Sequence, residues 1–340
     1  MKTADMPPLN EIFPATITNT VQSAPSLFAR IDRRMAAGGL LAAVVLTAIC
    51  HGSAVAASSA SEVISAIGVE NEYADVISQI GGKYVHATAI ETDPNTDPHT
   101  FEVSPKVAGE IASADLIVEN GIGYDSWADK IMSAAPNANR KVINVQQLLG
   151  LPDSTPNPHL WYDPKTMPIV AKAVASALSA LQPAQADYFQ ENVKTFDASL
   201  EPWNEAIASF KANYGHTPVA VTEPVADYLL QAIGVDIGTP FSLEAAIMNG
   251  TDPSPQDVTT QNKLFTDHKV KVFAYNQQVT DSLTQSFLDL AKKNGIPVVG
   301  VYETMPTPGF TYQSWMLAEV TNLRKALTDK VSTETLQAGQ

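Results

Sequence analysis

At 340 residues, the chain is long enough for two domains of ordinary size. Hydrophobic residues make up 45% of it and charged residues 17%, so a sizeable core is available. The formal charge of −15 argues against nucleic acid and against an anionic membrane surface as partners. The same charge is compatible with cationic ligands, although acidic surfaces are common in proteins of many functions.

Residues 1–56 have the pattern of a signal peptide. Three arginines between positions 30 and 34 precede an apolar run over residues 35–49, which is short for a membrane span. The sequence Ala-Val-Ala at 54–56 then matches a cleavage signal. We therefore expect an exported, periplasmic protein.

Cys50 is the only cysteine, and it raises the alternative of an N-terminal lipid anchor. The residue before it, Ile49, is not the small residue that a lipid-attachment site normally has. An untethered periplasmic protein is therefore the favoured prediction. In both cases the mature domain has no disulfide and depends on its core for stability.

From residue 63 onward, short apolar runs alternate with helical patterns, which is typical of an α/β fold with mainly parallel sheets. The pattern occurs twice, which predicts two similar lobes at residues 57–181 and 215–328. Residues 238–254 are predicted to be irregular, and the polar tail at 329–340 is predicted to fray. The predicted strands cover residues 63–67, 85–90, 115–119, 142–145, 218–222, 272–275 and 297–301.

Between the two lobes, apolar residues recur at three- and four-residue spacing over residues 182–214. This spacing predicts a single long helix of roughly 30 residues and about 45 Å, long enough to bridge the lobes. Pro202 falls inside the pattern and should kink or restart the helix, because proline removes a backbone donor.

His99 and His159 each follow a proline directly, in a loop just before a helical pattern. The chain contains only six histidines, and neutral imidazole is the commonest metal-ligating side chain. We therefore predict that these two residues form half of a metal site, although an isolated loop histidine is more often a surface residue. Structural or surface roles are predicted for His86, His216 and His268.

Glu223 and Glu303 each follow an apolar strand pattern in the second lobe. Because ligands of open α/β sheets bind beyond the carboxyl ends of strands, these residues are candidates to face the histidines across a cleft. Two imidazoles and two carboxylates suit a divalent cation. The alternatives are that Glu223 begins a helix and that Glu303 is an exposed loop acid.

Three segments resemble the metal-binding subunits of bacterial zinc and manganese ABC importers, the cluster A-I solute-binding proteins. Residues 97–105, with Asp-Pro-His and Ser-Pro, are similar to that family's first-ligand segment, and residues 114–123 follow it as in the family. Residues 157–164, Asn-Pro-His-Leu-Trp-Tyr-Asp-Pro, are similar to the second-ligand segment. The similarity covers about residues 60–328 and implies two α/β lobes bridged by one long rigid helix.

The resemblance also implies ligands from the second lobe. Thr222-Glu223 with Tyr228 is similar to the glutamate-bearing variant of the third-ligand segment, where zinc-type members usually have histidine. The fourth ligand is normally an aspartate after a strand, and alignment allows Tyr302 or Glu303 at that position. We predict Glu303, because a carboxylate is the better ligand for a hard cation.

The function implied is delivery of one divalent ion, Mn²⁺ or Zn²⁺ with Fe²⁺ as a third option, to the permease and ATPase of an ABC importer. Membrane contact is expected only through the permease or a lipid on Cys50, and we expect a monomer without enzymatic activity. Two nitrogens and two carboxylates favour manganese or iron, whereas intrinsic affinity favours zinc.

Two other classes of function remain open from the sequence. A metal-dependent hydrolase uses similar ligands with an open coordination position, but the chain has no His-Glu-x-x-His motif. An adhesin or a binder of organic ligands on the same scaffold is the other alternative. The pairing of histidines with carboxylates argues against a purely organic ligand.

Overall fold

The computed structural model describes residues 63–336. The predicted signal peptide, Cys50 and the last residues of the tail lie outside that range. None of the helices between residues 63 and 336 combines the length and apolar character that crossing a bilayer requires.

The first half of the described chain forms a four-stranded sheet in which every pair is parallel, in the order β2-β1-β3-β4. The central strands are buried on both faces, which explains their nearly continuous apolar sequences. The strands are β1 (Ile64–Glu70), β2 (Val85–Glu91), β3 (Leu116–Glu119) and β4 (Lys141–Asn144).

The second half repeats this topology, with a parallel sheet in the order β6-β5-β7-β8. Two α/β halves with parallel sheets are therefore confirmed. Because all strands of a sheet run the same way, their carboxyl ends meet at one edge, where polar side chains can gather. The strands are β5 (Pro218–Val221), β6 (Asp236–Ile237), β7 (Val272–Asn276) and β8 (Val298–Val301).

Helices connect the strands and enclose the sheets. Those of the first half are α1 (Asn71–Gly81), α2 (Pro105–Ser113), α3 (Ser126–Ala134), α4 (Val145–Leu148), α5 (Thr166–Leu181) and α6 (Ala186–Ser199). Those that follow are α7 (Glu201–Tyr214), α8 (Asp227–Ala232), α9 (Phe241–Met248), α10 (Pro255–Thr266), α11 (Ser282–Lys293) and α12 (Tyr312–Asp329).

The long helix predicted to bridge the halves is formed by α6 and α7, which are separated by a break at Leu200. Pro202 lies in the first turn of α7, where its missing N–H is not needed, so the restart that it predicts is observed. Helix α6 packs against α1 and α5, whereas α7 packs against α12. The segment thus contacts first-half helices at one end and a second-half helix at the other.

Two local expectations are wrong. Residues 241–248 form helix α9 instead of irregular structure, and the burial of Leu243 and Ile247, four residues apart, is the amphipathic signal that identifies it. Residue Val145 begins helix α4 instead of ending a strand, because the Asn144 side chain caps that helix by accepting a hydrogen bond from the Gln147 N–H.

The tail does not fray over its described part. Thr333 forms a parallel bridge with Val299 in β8, and Leu336 is buried. The Thr333 N–H donates to the Val298 carbonyl, and the Gly300 N–H donates to the Thr333 carbonyl. These contacts cover the edge of β8, which would otherwise expose unpaired backbone groups.

Candidate metal site

His99 is held by a short turn beyond β2. The Asp97 carboxylate accepts a hydrogen bond from the His99 N–H at 2.8 Å and caps a single 3₁₀ turn, Pro98–Thr100. The His99 Nε2 lies 3.3 Å from Oε2 of Glu303, and a quarter of the side chain remains exposed. The Pro-His dipeptide therefore presents one ring nitrogen to the interior while the ring edge borders solvent.

His159 is fully buried, and its orientation is set by Asn157. The Asn157 side chain donates through Nδ2 to the Pro224 carbonyl at 2.7 Å, so its Oδ1 faces the imidazole. That oxygen accepts from the His159 N–H at 3.0 Å and lies 2.7 Å from Nδ1. Because Oδ1 only accepts hydrogen bonds, Nδ1 carries a proton and Nε2 is the nitrogen that can bind a metal.

Glu303 lies two residues beyond β8 and contacts both histidines. Its Oε2 is 3.2 Å from Nε2 of His159, and it accepts a hydrogen bond from the Tyr124 hydroxyl at 3.0 Å. Its Oε1 accepts from Nδ2 of Asn276 at 2.8 Å. The Gln278 side-chain oxygen accepts from the Glu303 N–H at 2.6 Å, which holds the backbone in place.

Glu223 occupies the equivalent position beyond β5 and is 2% exposed. Its Oε1 accepts a hydrogen bond from Nδ2 of Asn276 at 3.1 Å, so one amide links Glu223 to Glu303. Its Oε2 has no hydrogen-bond partner among residues 63–336. A buried carboxylate oxygen without a partner is unfavourable unless a cation or a proton occupies it.

Three of the four predicted residues come together directly. His99, His159 and Glu303 each offer one ligand atom, and these atoms lie within 4.8 Å of one another. Glu223 is outside this group and adjoins it through Asn276. The alternative at the fourth position, Tyr302, turns its hydroxyl toward the tail, where it accepts from the Leu336 N–H at 3.4 Å.

The Glu303 carboxylate dominates the electrostatics of this group. Burial alone would raise the pKa of Glu303, but the imidazoles of His159 and His99, when protonated, donate to its carboxylate and hold that pKa well below its usual range. Burial lowers the pKa of His99, yet Glu303 raises it by more, so the net pKa is above its ordinary value. For His159, burial prevails over Glu303 and the pKa is lowered.

Glu223 behaves in the opposite way to Glu303. Burial, reinforced by the negative charge of Glu303, raises the pKa of Glu223 well above its ordinary value. A divalent cation between the two carboxylates would reverse the second effect, because it favours the ionised form of both. The arrangement therefore suits a bound cation better than an empty site.

Sequence reasoning missed two further contributors, Tyr124 and Asn276. Tyr124 follows a turn in which Gly121, Ile122 and Gly123 all have positive φ, and that turn directs its hydroxyl to Glu303. Asn276 is the last residue of β7, between the strands that lead to Glu223 and Glu303. A polar residue ending an apolar strand was the signal that identified both glutamates, and it applies equally to Asn276.

A second group of buried acids lies at the carboxyl ends of β1 and β2. Glu70 and Glu91 are opposite each other in the strand register, and Glu72 is in the first turn of α1. The carboxyl oxygens of Glu70 and Glu72 have no hydrogen-bond partner among the described residues. Burial raises the pKa of Glu72 to about 8 and that of Glu91 to about 9, so both are largely protonated at neutral pH.

Comparison with known proteins identifies the family of the chain. Residues 70–326 match the model of the family described as "Zinc-uptake complex component A periplasmic". The manganese-binding lipoprotein MntA of Bacillus subtilis is 20% identical over 269 residues, 76% of this chain and 86% of MntA. The manganese ABC transporter substrate-binding lipoprotein PsaA of Streptococcus mitis is 24% identical over 258 residues, 71% of this chain and 80% of PsaA.

A solved structure shares the fold as well. The periplasmic zinc-binding protein TroA of Treponema pallidum superposes with a TM-score of 0.66 at 17% identity, covering 79% of this chain and 99% of TroA. This likeness shows that the two proteins share a fold of two α/β halves, each built on a parallel sheet. Since the family model spans most of the described chain, from the end of β1 into α12, the chain belongs to the family of zinc-uptake complex component A periplasmic proteins.

Proposed function

We propose that this protein binds one divalent metal ion, Mn²⁺ or Zn²⁺, outside the cytoplasm and delivers it to an ABC importer. The observation that carries the proposal is the convergence of Nε2 of His99, Nε2 of His159 and Oε2 of Glu303, with the unpartnered Oε2 of Glu223 beside them. Two neutral imidazoles and two carboxylates would neutralise the charge of one divalent ion.

Three of the four proposed ligands are supported by a neighbour that fixes their orientation. Asn157 holds the tautomer and ring of His159, and Asn276 holds both carboxylates. Such supporting hydrogen bonds are typical of protein metal sites, because they orient the ligand and increase its basicity. Three of the four proposed ligands, His159, Glu223 and Glu303, are also buried, and His99 borders solvent.

The relatives support the class of cargo and of partner. MntA and PsaA are named for manganese, TroA for zinc, and PsaA for the substrate-binding role in an ABC transporter. By analogy, we infer that a permease and its ATPase receive the ion from this protein. Family membership also supports an export route and a binding role without turnover, whereas lipid attachment at Cys50 remains the alternative to a free periplasmic form.

The direct test is metal analysis of the protein purified from the periplasm of cells that produce it, followed by calorimetric titration of the stripped protein. We expect one equivalent of zinc or manganese and a single binding event. Loss of metal-dependent growth or uptake on deletion should accompany it. Failure of Zn²⁺, Mn²⁺ and Fe²⁺ alike to bind, or to raise the melting temperature, would contradict the proposal.

A further inference from the structure

We propose that Asn276 limits each glutamate to one metal-binding oxygen and thereby selects ions that accept four ligands, such as Zn²⁺, over ions that need six. This inference rests on the ligand set proposed above. It assigns a role in specificity to a residue that does not itself bind the ion.

Complete burial and two hydrogen bonds fix the position of Asn276. It is fully buried, its backbone N–H donates to Oγ1 of Thr222 at 2.9 Å, and its Oδ1 accepts from the Gln278 N–H at 3.0 Å. With Oδ1 occupied by a donor, the amide cannot be flipped, and Nδ2 must face the two carboxylates. The two hydrogens of Nδ2 are then both used, one for Glu223 and one for Glu303.

As a result, the two oxygens of each carboxylate have different roles. Oε1 of Glu223 and Oε1 of Glu303 accept from the Asn276 amide, which leaves the two Oε2 atoms for a cation. Oε2 of Glu223 has no partner among the described residues, and Oε2 of Glu303 lies near both imidazoles and accepts from the Tyr124 hydroxyl. Bidentate coordination by either glutamate would place the cation and the buried Nδ2–H of Asn276 on the same oxygen, and the repulsion between the cation and the polar N–H makes this arrangement unfavourable. With the two imidazoles, the remaining donors number four, which matches tetrahedral zinc and falls short of the six preferred by manganese.

Gln278 provides a useful contrast, because it is a second buried amide next to the same carboxylate. Its oxygen accepts from the N–H groups of Glu303 and Thr304, and its nitrogen donates to the Thr96 carbonyl and to Oγ1 of Thr304. It therefore positions the backbone of the loop and leaves the carboxylate oxygens free. Of these two amides, only Asn276 donates to the glutamate carboxylates and so controls how they coordinate a metal ion.

The test compares the wild-type protein with Asn276→Ala and Asn276→Asp, using Co²⁺ as a spectroscopic probe and Zn²⁺/Mn²⁺ competition as the affinity measurement. Asn276→Asp preserves the shape and the acceptor for Gln278, but it loses the donor. Asn213→Asp, on an exposed face of α7, is the matched control for the added charge. We expect intense four-coordinate Co²⁺ absorption in the wild type and in the control.

Both Asn276 variants should show the weaker absorption of higher coordination, and their preference for Zn²⁺ over Mn²⁺ should fall by about tenfold or more. Variants with wild-type spectra and preference would overturn the inference. If the variants do not fold, X-ray absorption of zinc in the wild type decides: four neighbours support the inference, and five or six contradict it. A wild type that binds none of these ions would instead refute the proposed function.

Discussion

The two sheets share one strand order, yet different side chains lie beyond the carboxyl ends of their strands. The first half presents the imidazoles of His99 and His159, with buried acids close by that have few donors. The second half presents Glu223 and Glu303, and an amide side chain serves both of them. The repeated topology thus places the proposed ligands at equivalent edges of the two sheets, but the neighbouring side chains decide which of them carry charge.

The contrast between buried carboxyls makes this point directly. Glu72 and Glu303 are both buried, but burial raises the pKa of Glu72 to about 8, whereas the histidines hold the pKa of Glu303 far below its usual range. The difference is in the hydrogen-bond partners: Glu303 has two imidazoles, a hydroxyl and an amide, and Glu72 has no side-chain donor among the described residues. Burial alone therefore does not predict the charge of a carboxyl group.

The largest effect is expected at the fully buried histidine of the first half. His159→Ala should weaken zinc binding by on the order of 1,000-fold, about 4 kcal/mol, because it removes one of the four proposed ligands. Calorimetric titration measures this loss. His216→Ala, at an exposed histidine near Asp236, is the control and should bind as the wild type does. Equal affinity in both variants would exclude His159 as a ligand.

The corresponding change in the second half should be somewhat smaller. Glu223→Ala should lower the affinity by about 100-fold, because Glu223 is outside the three-residue group and is recruited through Asn276. Glu223→Gln keeps the shape and an acceptor for Asn276, so it separates the loss of charge from the loss of packing. An affinity loss in Glu223→Ala exceeding that of His159→Ala would reverse the ranking of the two halves.

The buried acids of the first half should make the metal-free protein less stable in alkali. The folded pKa of Glu72, about 8, and that of Glu91, about 9, lie above the value of 4.5 for an unperturbed glutamate. The stabilisation by their protonated forms is therefore complete below pH 4.5 and is lost as pH rises through the folded values. Between pH 6 and pH 8 the loss from Glu72 alone is about 2 to 3 kcal/mol, at about 1.4 kcal/mol per pH unit, or roughly 5 to 10 °C in melting temperature, and Glu91 adds to it.

Thermal melts of the metal-free protein across that pH range measure the effect. Glu72→Gln cannot ionise and should flatten the dependence, whereas Glu191→Gln, at an exposed glutamate on α6, should not. A melting temperature that rises from pH 6 to pH 8 would contradict the assignment of these carboxyls as protonated.

The smallest effect concerns Asn157, which orients an imidazole of the first half as Asn276 orients the carboxylates of the second. Asn157→Ala should reduce zinc affinity by about tenfold, because the His159 ring loses the acceptor that fixes its tautomer. Asn157→Asp retains an acceptor and should restore most of the affinity. If both variants bind equally weakly, packing rather than the hydrogen bond to Nδ1 is responsible.

Much of the fold was predictable because its signals are local. Apolar runs of four to six residues, separated by helical periods, indicated seven of the eight strands, and Pro202 indicated the restart of the bridging segment at α7. The missing strand, β6, has only two residues and gives no periodic signal. Helix α9 was missed because Pro240 and the turn residues around it dominate the local composition, although Leu243 and Ile247 have helical spacing.

The candidate site was predictable only in outline. Placement after a strand or a proline singled out His99, His159, Glu223 and Glu303, since parallel strands bring such positions to one edge. Alignment left Tyr302 and Glu303 both open, and the prediction of Glu303 rested on ligand chemistry alone, because the directions of adjacent side chains are not visible in the sequence. In the structure, Tyr302 faces the tail and Glu303 faces the histidines.

By itself, then, the sequence determined the α/β class, the repeated halves and the four candidate ligands, because periodicity and strand ends are properties of neighbouring residues. Only the tertiary structure decided that Asn276 joins Glu223 to Glu303, that Thr333 pairs with β8, and that Glu72 is buried without a side-chain donor. These features depend on side-chain direction and on contacts between residues far apart in the chain. The local sequence pattern does not contain side-chain directions or long-range contacts. Both are set by the packing of the two halves around one site.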